Sequence, residues 1–144
     1  MKNSSIQNRS GFVLAFDFGL RYIGVASGQT ITRTATSLTT LKAVNGRPNW
    51  TELLVLIESW HPVQLLVGLP LNMDDSESEM CELARSFALK LERRCGVPVT
   101  LVDERLTTIA AQEIDPADRH GLAAVLIAET WFGDKRSDRV SVDT

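Results

Sequence analysis

Two acidic motifs, each following an apolar segment, carry the residues best suited to chemistry in this chain. The run Gly11–Asp17 (GFVLAFD) ends in a carboxylate, and the run Val97–Asp103 leads into Glu104 and Arg105. A carboxylate at the end of a buried strand must be solvated at the sheet edge or bind a cation. Because parallel-type strands of an α/β sheet end at one edge, we expect acids of both motifs to share a crevice there.

Clustered carboxylates repel one another unless a cation neutralises them, and hard divalent ions such as Mg²⁺ prefer oxygen ligands. We therefore expect one or two Mg²⁺ or Mn²⁺ ions; two such ions can activate water and stabilise the leaving oxygen of a phosphodiester. Asp103 and Glu104 face opposite sides of a continuous strand, so only one of them is expected to share a site with Asp17. Two alternatives remain: Asp17 begins a turn in which Gly19 takes a positive φ, and the second motif is a salt-bridged strand end.

Other catalytic chemistries lack support in the sequence. His61 and His120 are the two histidines, and neither a GxSxG motif nor a Walker A loop occurs. His61, just before Pro62, is interpreted as a helix-end residue. Arg21 and Arg105 each adjoin a candidate ligand acid, where an arginine either forms a salt bridge with that acid or binds a substrate phosphate.

Composition indicates one ordinary globular domain. The chain has 144 residues, of which 44% are hydrophobic, and a formal net charge of −3, so a nucleic-acid site must be a local basic patch. Cys81 and Cys95 lie on one predicted helix, too far apart to form a disulfide, and no apolar stretch is long enough for a membrane span. We expect a cytoplasmic protein that makes no contact with a membrane.

Apolar periodicity predicts an α/β fold. The first strand and two further segments, Tyr22–Ser27 and Thr30–Leu38, form an antiparallel meander, and two more strands, Leu65–Leu69 and Val97–Asp103, alternate with helices. The expected result is a mixed sheet of three antiparallel strands plus two further strands, with helices on both faces. A single domain is predicted for residues 11–133, between flexible tails at 1–10 and 134–144.

Capping signals predict the helix ends. The first helix, within Asn49–Trp60, is capped by Asn49 with Glu52. The second begins at a capping box of Ser76 and Glu79 and ends at Gly96. Its predicted apolar stripe consists of Met80, Leu83, Ala84, Phe87 and Leu91. In the last helix Asp115 is the cap, Pro116 takes the first position and Gly133 is the stop.

Four segments in order resemble the YqgF family, also called RuvX, which is related to the RuvC Holliday-junction resolvase. They are DFGLRYIGVA (17–26), VGLPLNM (67–73), DERLTT (103–108) and AAVLIAE (123–129). The resemblance implies a ribonuclease-H-like fold. It also implies a cytoplasmic nuclease role in maturing the precursor of the small-subunit ribosomal RNA, the pre-16S rRNA.

The resemblance also implies a set of site residues. Asp17 matches the first metal-binding acid of the family and Glu104 the second, with Asp103 beside it, while His120 occupies the position of the usual third aspartate. The implied metal ligands are Asp17, Glu104 and His120, and Asp103 joins them as a catalytic candidate. The candidate substrate-binding residues are Arg21, Arg105, Asn72 and Thr108.

Three other functions remain open at this stage. The first is a non-catalytic RNA-binding or ribosome-assembly factor with a degenerate metal site, and the second is a resolvase-like nuclease acting on branched DNA. The third takes Asp17 and Gly19 as part of the phosphate loop of an actin-like or sugar-kinase ATPase, which needs a second domain that 144 residues cannot supply. We expect structured RNA or branched DNA as the partner, and a monomer or weak dimer.

Overall fold

A computed structural model of the chain describes residues 10–70, 78–103 and 115–142, with the backbone alone for 116–117 and 134–142. Its strands are β1 (Phe12–Asp17), β2 (Tyr22–Gln29), β3 (Thr34–Val44), β4 (Arg47–Pro48), β5 (Gln64–Leu69) and β6 (Val99–Asp103). Its helices are α1 (Trp50–Trp60), α2 (Glu79–Cys95) and α3 (Pro116–Val142). Within the described ranges, no helix is long and apolar enough to cross a membrane.

The six strands form one mixed sheet in the order β4-β3-β2-β1-β5-β6. Strands β1, β2 and β3 form the antiparallel meander, whereas β5 runs parallel to β1 and β6 parallel to β5. The predicted mixed α/β sheet is confirmed. Because β1, β5 and β6 are parallel, their carboxyl ends lie at one edge of the sheet, where α/β folds place their sites.

Helices cover both faces of this sheet, as the apolar strands require. In β1, Leu14 and Phe16 point into a core formed with α1 and α2. The intervening Val13 and Ala15 point into a second core formed with α3. This alternation buries every position from 13 to 16, which explains why the sequence of β1 is continuously apolar.

The third strand and a short fourth strand differ from the sequence-based prediction. The chain turns after β2, with Arg33 N donating to Gln29 O at 2.7 Å and Arg33 at φ 58°, so β3 begins at Thr34 rather than Thr30. It continues past Leu38 to Val44. The missed strand β4 has only two residues, too few to show any alternation of apolar and polar positions.

Four of the predicted helix ends are confirmed: both ends of α1, the end of α2 and the start of α3. The side chain of Asn49 accepts from the backbone nitrogen of Glu52 at 3.1 Å, and Gly96 ends α2 in the left-handed conformation at φ 73°. His61 is the C-cap of α1, which confirms its interpretation as a helix-end residue.

Two helix boundaries are wrong. Helix α2 has Ser78 as its N-cap, with no side-chain capping bond, and Ser76 lies outside the described residues. Its buried face takes in Cys81 and Ala88, while Leu83 is exposed. Helix α3 begins at Pro116 as predicted but continues past Gly133 to Val142. Gly133 is not among the glycines at positive φ, and a helical glycine costs only about 1 kcal/mol relative to alanine, too little to end a long helix.

Candidate active site at the carboxyl end of β1

Asp17 stands at the carboxyl edge of the sheet on the side covered by α3. It is the last residue of β1 and pairs with Gly24 of β2. Because Val13 and Ala15 point toward α3, the alternation of the strand directs Asp17 to that same side. Its side chain is 14% exposed, so the carboxylate is largely desolvated but reachable from solvent.

His120, in the second turn of α3, contacts this carboxylate directly although 103 residues separate the two in sequence. Nδ1 of the imidazole faces Oδ2 of Asp17, and an ionised carboxylate can only accept, so Nδ1 carries the hydrogen. In the neutral ring this leaves the lone pair on Nε2. The structure therefore brings together two of the residues that sequence reasoning selected, and Asp17 fixes the tautomer of His120.

Two glycines leave the space that His120 occupies. A Cβ at Gly24 would lie 2.8 Å from the backbone nitrogen of Gly121 and closer still to the carbonyl group of His120. A Cβ at Gly19 would lie 2.6 Å from Cε1 of the imidazole and 3.0 Å from its Nε2. The alternative in which Gly19 takes a positive φ is not what the structure shows, because Gly19 is not among the glycines in that region. A Cβ there would also lie 2.6 Å from the backbone carbonyl oxygen of Tyr22, so lack of space on both sides, not a positive φ, explains the glycine.

Small residues on both β2 and α3 allow the strand and the helix to pack closely beyond His120 as well. Strand β2 presents Gly24, Ala26 and Gly28 to the helix, and a Cβ at Gly28 would lie 3.0 Å from the ring of Phe132. The helix contributes Gly121, Ala124 and Ala128. Sequence reasoning did not single these residues out, although small residues at spacing 2 in β2 and at spacings 3 and 4 in α3 were a readable signal.

The second acidic motif is only partly described. Asp103 ends β6 and is exposed. Leu101, two residues earlier, packs against the core of α1 and α2, so the strand alternation puts Asp103 on the opposite face of the sheet from Asp17. The structure does not bring Asp103 and Asp17 together. Glu104 lies outside the described residues.

The substrate-binding candidates fall at or beyond the edge of the described chain. Arg21 immediately precedes β2 and is exposed, and its carbonyl accepts from Ala43 N at 2.8 Å. No described carboxylate pairs with its guanidinium, so within those ranges the salt bridge to Asp17 is not formed. Arg105, Asn72 and Thr108 lie outside the described residues.

The Asp17 and His120 pair fits part of a divalent-cation site. A carboxylate oxygen and an imidazole nitrogen are donors that Mn²⁺ accepts, and Mg²⁺ accepts the oxygen. In the described ranges no group of three or more His, Cys, Asp or Glu side chains could hold a metal ion. Glu104, the further acid that the sequence offers for this site, lies outside those ranges.

Sequence comparison relates the whole site-bearing region to one family. The family model described as "RuvX: Holliday junction resolvase" matches residues 11–134. A "Putative pre-16S rRNA nuclease" of Coxiella burnetii is 45% identical over 139 residues, covering 91% of this chain and 99% of that protein. A protein of the same name in Nitrosococcus oceani is 47% identical over 136 residues, covering 88% and 90%.

Structure comparison agrees with this relationship at the level of the fold. RuvC of T. thermophilus, solved in complex with a Holliday junction substrate, superposes with a TM-score of 0.56 at 14% identity. The match covers 88% of this chain and 96% of that one. The sheet order and the helices on both faces are therefore those of the RuvC and ribonuclease-H-like fold.

Proposed function

The chain belongs to the RuvX family, and from that premise we propose that it is a metal-dependent nuclease that hydrolyses phosphodiester bonds of the pre-16S rRNA in ribosome biogenesis. One observation carries the proposal: Asp17 and His120 meet at the edge of the sheet where its parallel strands end. The resemblance to the family implies that Asp17 is its first metal-binding acid and that His120 stands where it usually has an aspartate. The proposed place of action is the cytoplasm, and the proposed ligand is structured RNA.

The proposed metal ligands are Asp17, Glu104 and His120. The contact between Asp17 and Nδ1 leaves Nε2, on the other side of the ring, as the nitrogen of His120 able to ligate, so Asp17 and His120 would hold different ions of a two-ion site. The position of Asp103 on the far face of the sheet argues against it as the second acid, which leaves Glu104 as the proposed one. When bound, a divalent cation supplies Lewis-acid polarisation of the scissile phosphate.

The residues of the chain supply orientation and charge for the reaction. Asp17 holds the imidazole of His120 in one tautomer. The exposed guanidinium of Arg21, four residues from Asp17, is proposed to hold a non-bridging phosphate oxygen. Arg105, Asn72 and Thr108 are proposed to extend this substrate contact.

Cleavage of a pre-16S rRNA transcript tests the proposed function. Purified protein is incubated with the transcript in Mn²⁺, Mg²⁺ or EDTA, beside a four-way DNA junction, and products are mapped on a sequencing gel. We expect discrete cuts in the RNA that need the divalent ion. Cleavage of the DNA junction alone would favour the resolvase, and RNA binding without any cleavage would favour a non-catalytic assembly factor.

His120→Asp is expected to change the metal preference from Mn²⁺ toward Mg²⁺. An imidazole suits Mn²⁺ better than Mg²⁺, whereas an added carboxylate supplies the anionic oxygen that Mg²⁺ prefers. Mg²⁺ affinity and Mg²⁺-supported cleavage should rise, and in EDTA the paired carboxylates should lower the melting temperature by about 2–4 °C, as a loss of about 1 kcal/mol does. Equal Mg²⁺ affinity and unchanged metal preference in both proteins would contradict the assignment of His120 as a ligand.

Arg21→Lys is expected to weaken RNA binding about tenfold with little effect on stability. Lysine keeps the charge but loses the planar fork that binds a phosphate through two hydrogen bonds. Binding is measured by fluorescence anisotropy in EDTA, with Arg93→Lys on the exposed surface of α2 as the matched control. RNA affinity of wild type should also fall as salt rises. If the RNA affinity of wild type did not depend on salt, or if Arg21→Lys bound RNA as tightly as Arg93→Lys, Arg21 would not be a substrate-binding residue.

A further inference from the structure

Tyr22 and Lys42 stand side by side next to the Asp17 and His120 pair. Tyr22 is the first residue of β2, and Lys42 lies directly opposite it on the antiparallel strand β3. Side chains at directly opposed positions of an antiparallel pair lie on the same face, with their Cβ atoms about 5 Å apart. The ring and the ammonium group therefore belong to one patch, which we name the Tyr22–Lys42 platform.

The face of this platform is the one that carries the candidate active site. Gly24 and Ala26 of β2 pack against α3, and Tyr22 precedes Gly24 by two positions, so it projects to the same side. The ring centroid of Tyr22 is 6.2 Å from that of His120, with 41° between the ring planes. A chain molecule bound at Asp17 and His120 would therefore pass over the platform if it continued toward β2 and β3.

Apart from the contact between the ring of Tyr22 and the imidazole of His120, neither side chain has a packing role in the described part of the chain. Tyr22 is only half-buried and belongs to neither hydrophobic core, and Lys42 is exposed. The phenol hydroxyl and the ammonium group make no hydrogen bond or ion pair with the described residues. An aromatic ring and a cation left free beside a phosphodiester site match the two parts of a nucleotide, its base and its phosphate.

We propose that the Tyr22–Lys42 platform binds an unpaired ribonucleotide adjacent to the cleaved bond. The base stacks on the ring of Tyr22, and Lys42 pairs with the neighbouring phosphate. The choice of RNA as ligand rests on the proposed function. The protein carries a net charge of −3, so phosphate binding depends on individual cations placed at the site, and the position of Lys42 meets that need.

Binding of single-stranded RNA in EDTA tests the platform without any cleavage. The probe is a fluorescein-labelled oligouridine of about ten nucleotides, a usual site size for single-strand binders. Tyr22→Leu should weaken binding about tenfold, whereas Tyr22→Phe, which keeps the ring, should stay within about twofold of wild type. Lys42→Gln should reduce the slope of log affinity against log salt by about 0.7, the value for one phosphate contact on a single strand.

Controls separate the platform from general electrostatics and from misfolding. Lys90→Gln removes the same charge on α2, which covers the opposite face of the sheet, and should leave affinity and salt slope unchanged. Melting temperatures of all variants are measured in the same buffer. In wild type, an oligonucleotide carrying 5-iodouridine should crosslink to Tyr22 under long-wavelength ultraviolet light, a result that needs no variant to fold.

Different experiments test the platform and the nuclease function, so one proposal can be contradicted without the other. Wild-type affinity of Tyr22→Leu, or crosslinks that map away from Tyr22, would overturn the platform even if the protein cleaves RNA. Absence of cleavage by wild type in Mn²⁺ would overturn the nuclease function, whereas the platform is judged in EDTA by the Tyr22 and Lys42 variants alone.

Discussion

Asp17→Asn is expected to lower cleavage of the pre-16S rRNA by about a hundredfold or more. Asparagine is isosteric with aspartate but lacks the negative charge that the cation and the imidazole of His120 require. Loss of a ligand that stabilises several kcal/mol of transition-state charge corresponds to two or more orders of magnitude in rate. The measurement is the initial rate of transcript cleavage in saturating Mn²⁺ for wild type and variant.

The fold should tolerate this change. The amide oxygen of the variant can still accept from Nδ1 of His120, so in EDTA the melting temperature should stay within about 3 °C of wild type, as expected for about 1 kcal/mol or less. Asp118→Asn, an exposed acid in the first turn of α3, is the matched control and should retain activity. A large fall in the melting temperature of Asp17→Asn would show instead that Asp17 is a structural capping residue.

Gly24→Ala is expected to have the second largest effect, on both stability and activity. The added methyl group would overlap the backbone of His120 and Gly121, which cannot rotate away as a side chain could. Relief requires α3 to lift from β2, which separates His120 from Asp17. Overpacking of this kind costs about 1–3 kcal/mol, so the melting temperature should fall by roughly 3–10 °C. Cleavage at a temperature where the variant is folded should fall at least tenfold.

Gly133→Ala is the control for this substitution, because it makes the same chemical change on α3, the helix that packs against Gly24. A Cβ at Gly133 would meet nothing within 4 Å. Alanine is the better helix former, so this variant should gain about 0.5–1 kcal/mol and keep full activity. If Gly24→Ala kept the stability and activity of Gly133→Ala, the close packing of α3 on β2 would not be what positions His120.

Most of the sheet was predictable from sequence because its strands have apolar patterns that can be recognised in the sequence alone. Continuous apolar runs predicted β1, β5 and β6. Asn49 and Gly96 indicated helix ends, because a helix cap depends on local hydrogen bonds. The two-residue strand β4 carries no periodicity and was missed. Helix α3 was cut short because Gly133 was interpreted as a C-cap, although it does not adopt the left-handed conformation that such a cap uses.

The candidate site was predictable in its residue types but not in its geometry. The end of an apolar strand selected Asp17, and the resemblance to the RuvX family selected His120. Their contact depends on the packing of α3 against β2, and the two residues are 103 positions apart in the sequence. The small residues that permit this packing were visible as a pattern, but no local rule says which helix they will face. Tyr22 was missed because a single aromatic at a strand start is not informative until the strand pairing is known. The roles of Glu104, Arg105, Asn72 and Thr108 stay predictions.

Calorimetric titration of Mn²⁺ into the metal-free protein tests the central claim most directly, because the proposed nuclease requires a divalent-cation site at Asp17 and His120. Wild type and Asp17→Asn are compared in the same buffer, with no nucleic acid present. We predict saturable binding of one or two ions by wild type and loss of that binding in Asp17→Asn. Absence of saturable binding by wild type, or the same isotherm for both proteins, would contradict the account.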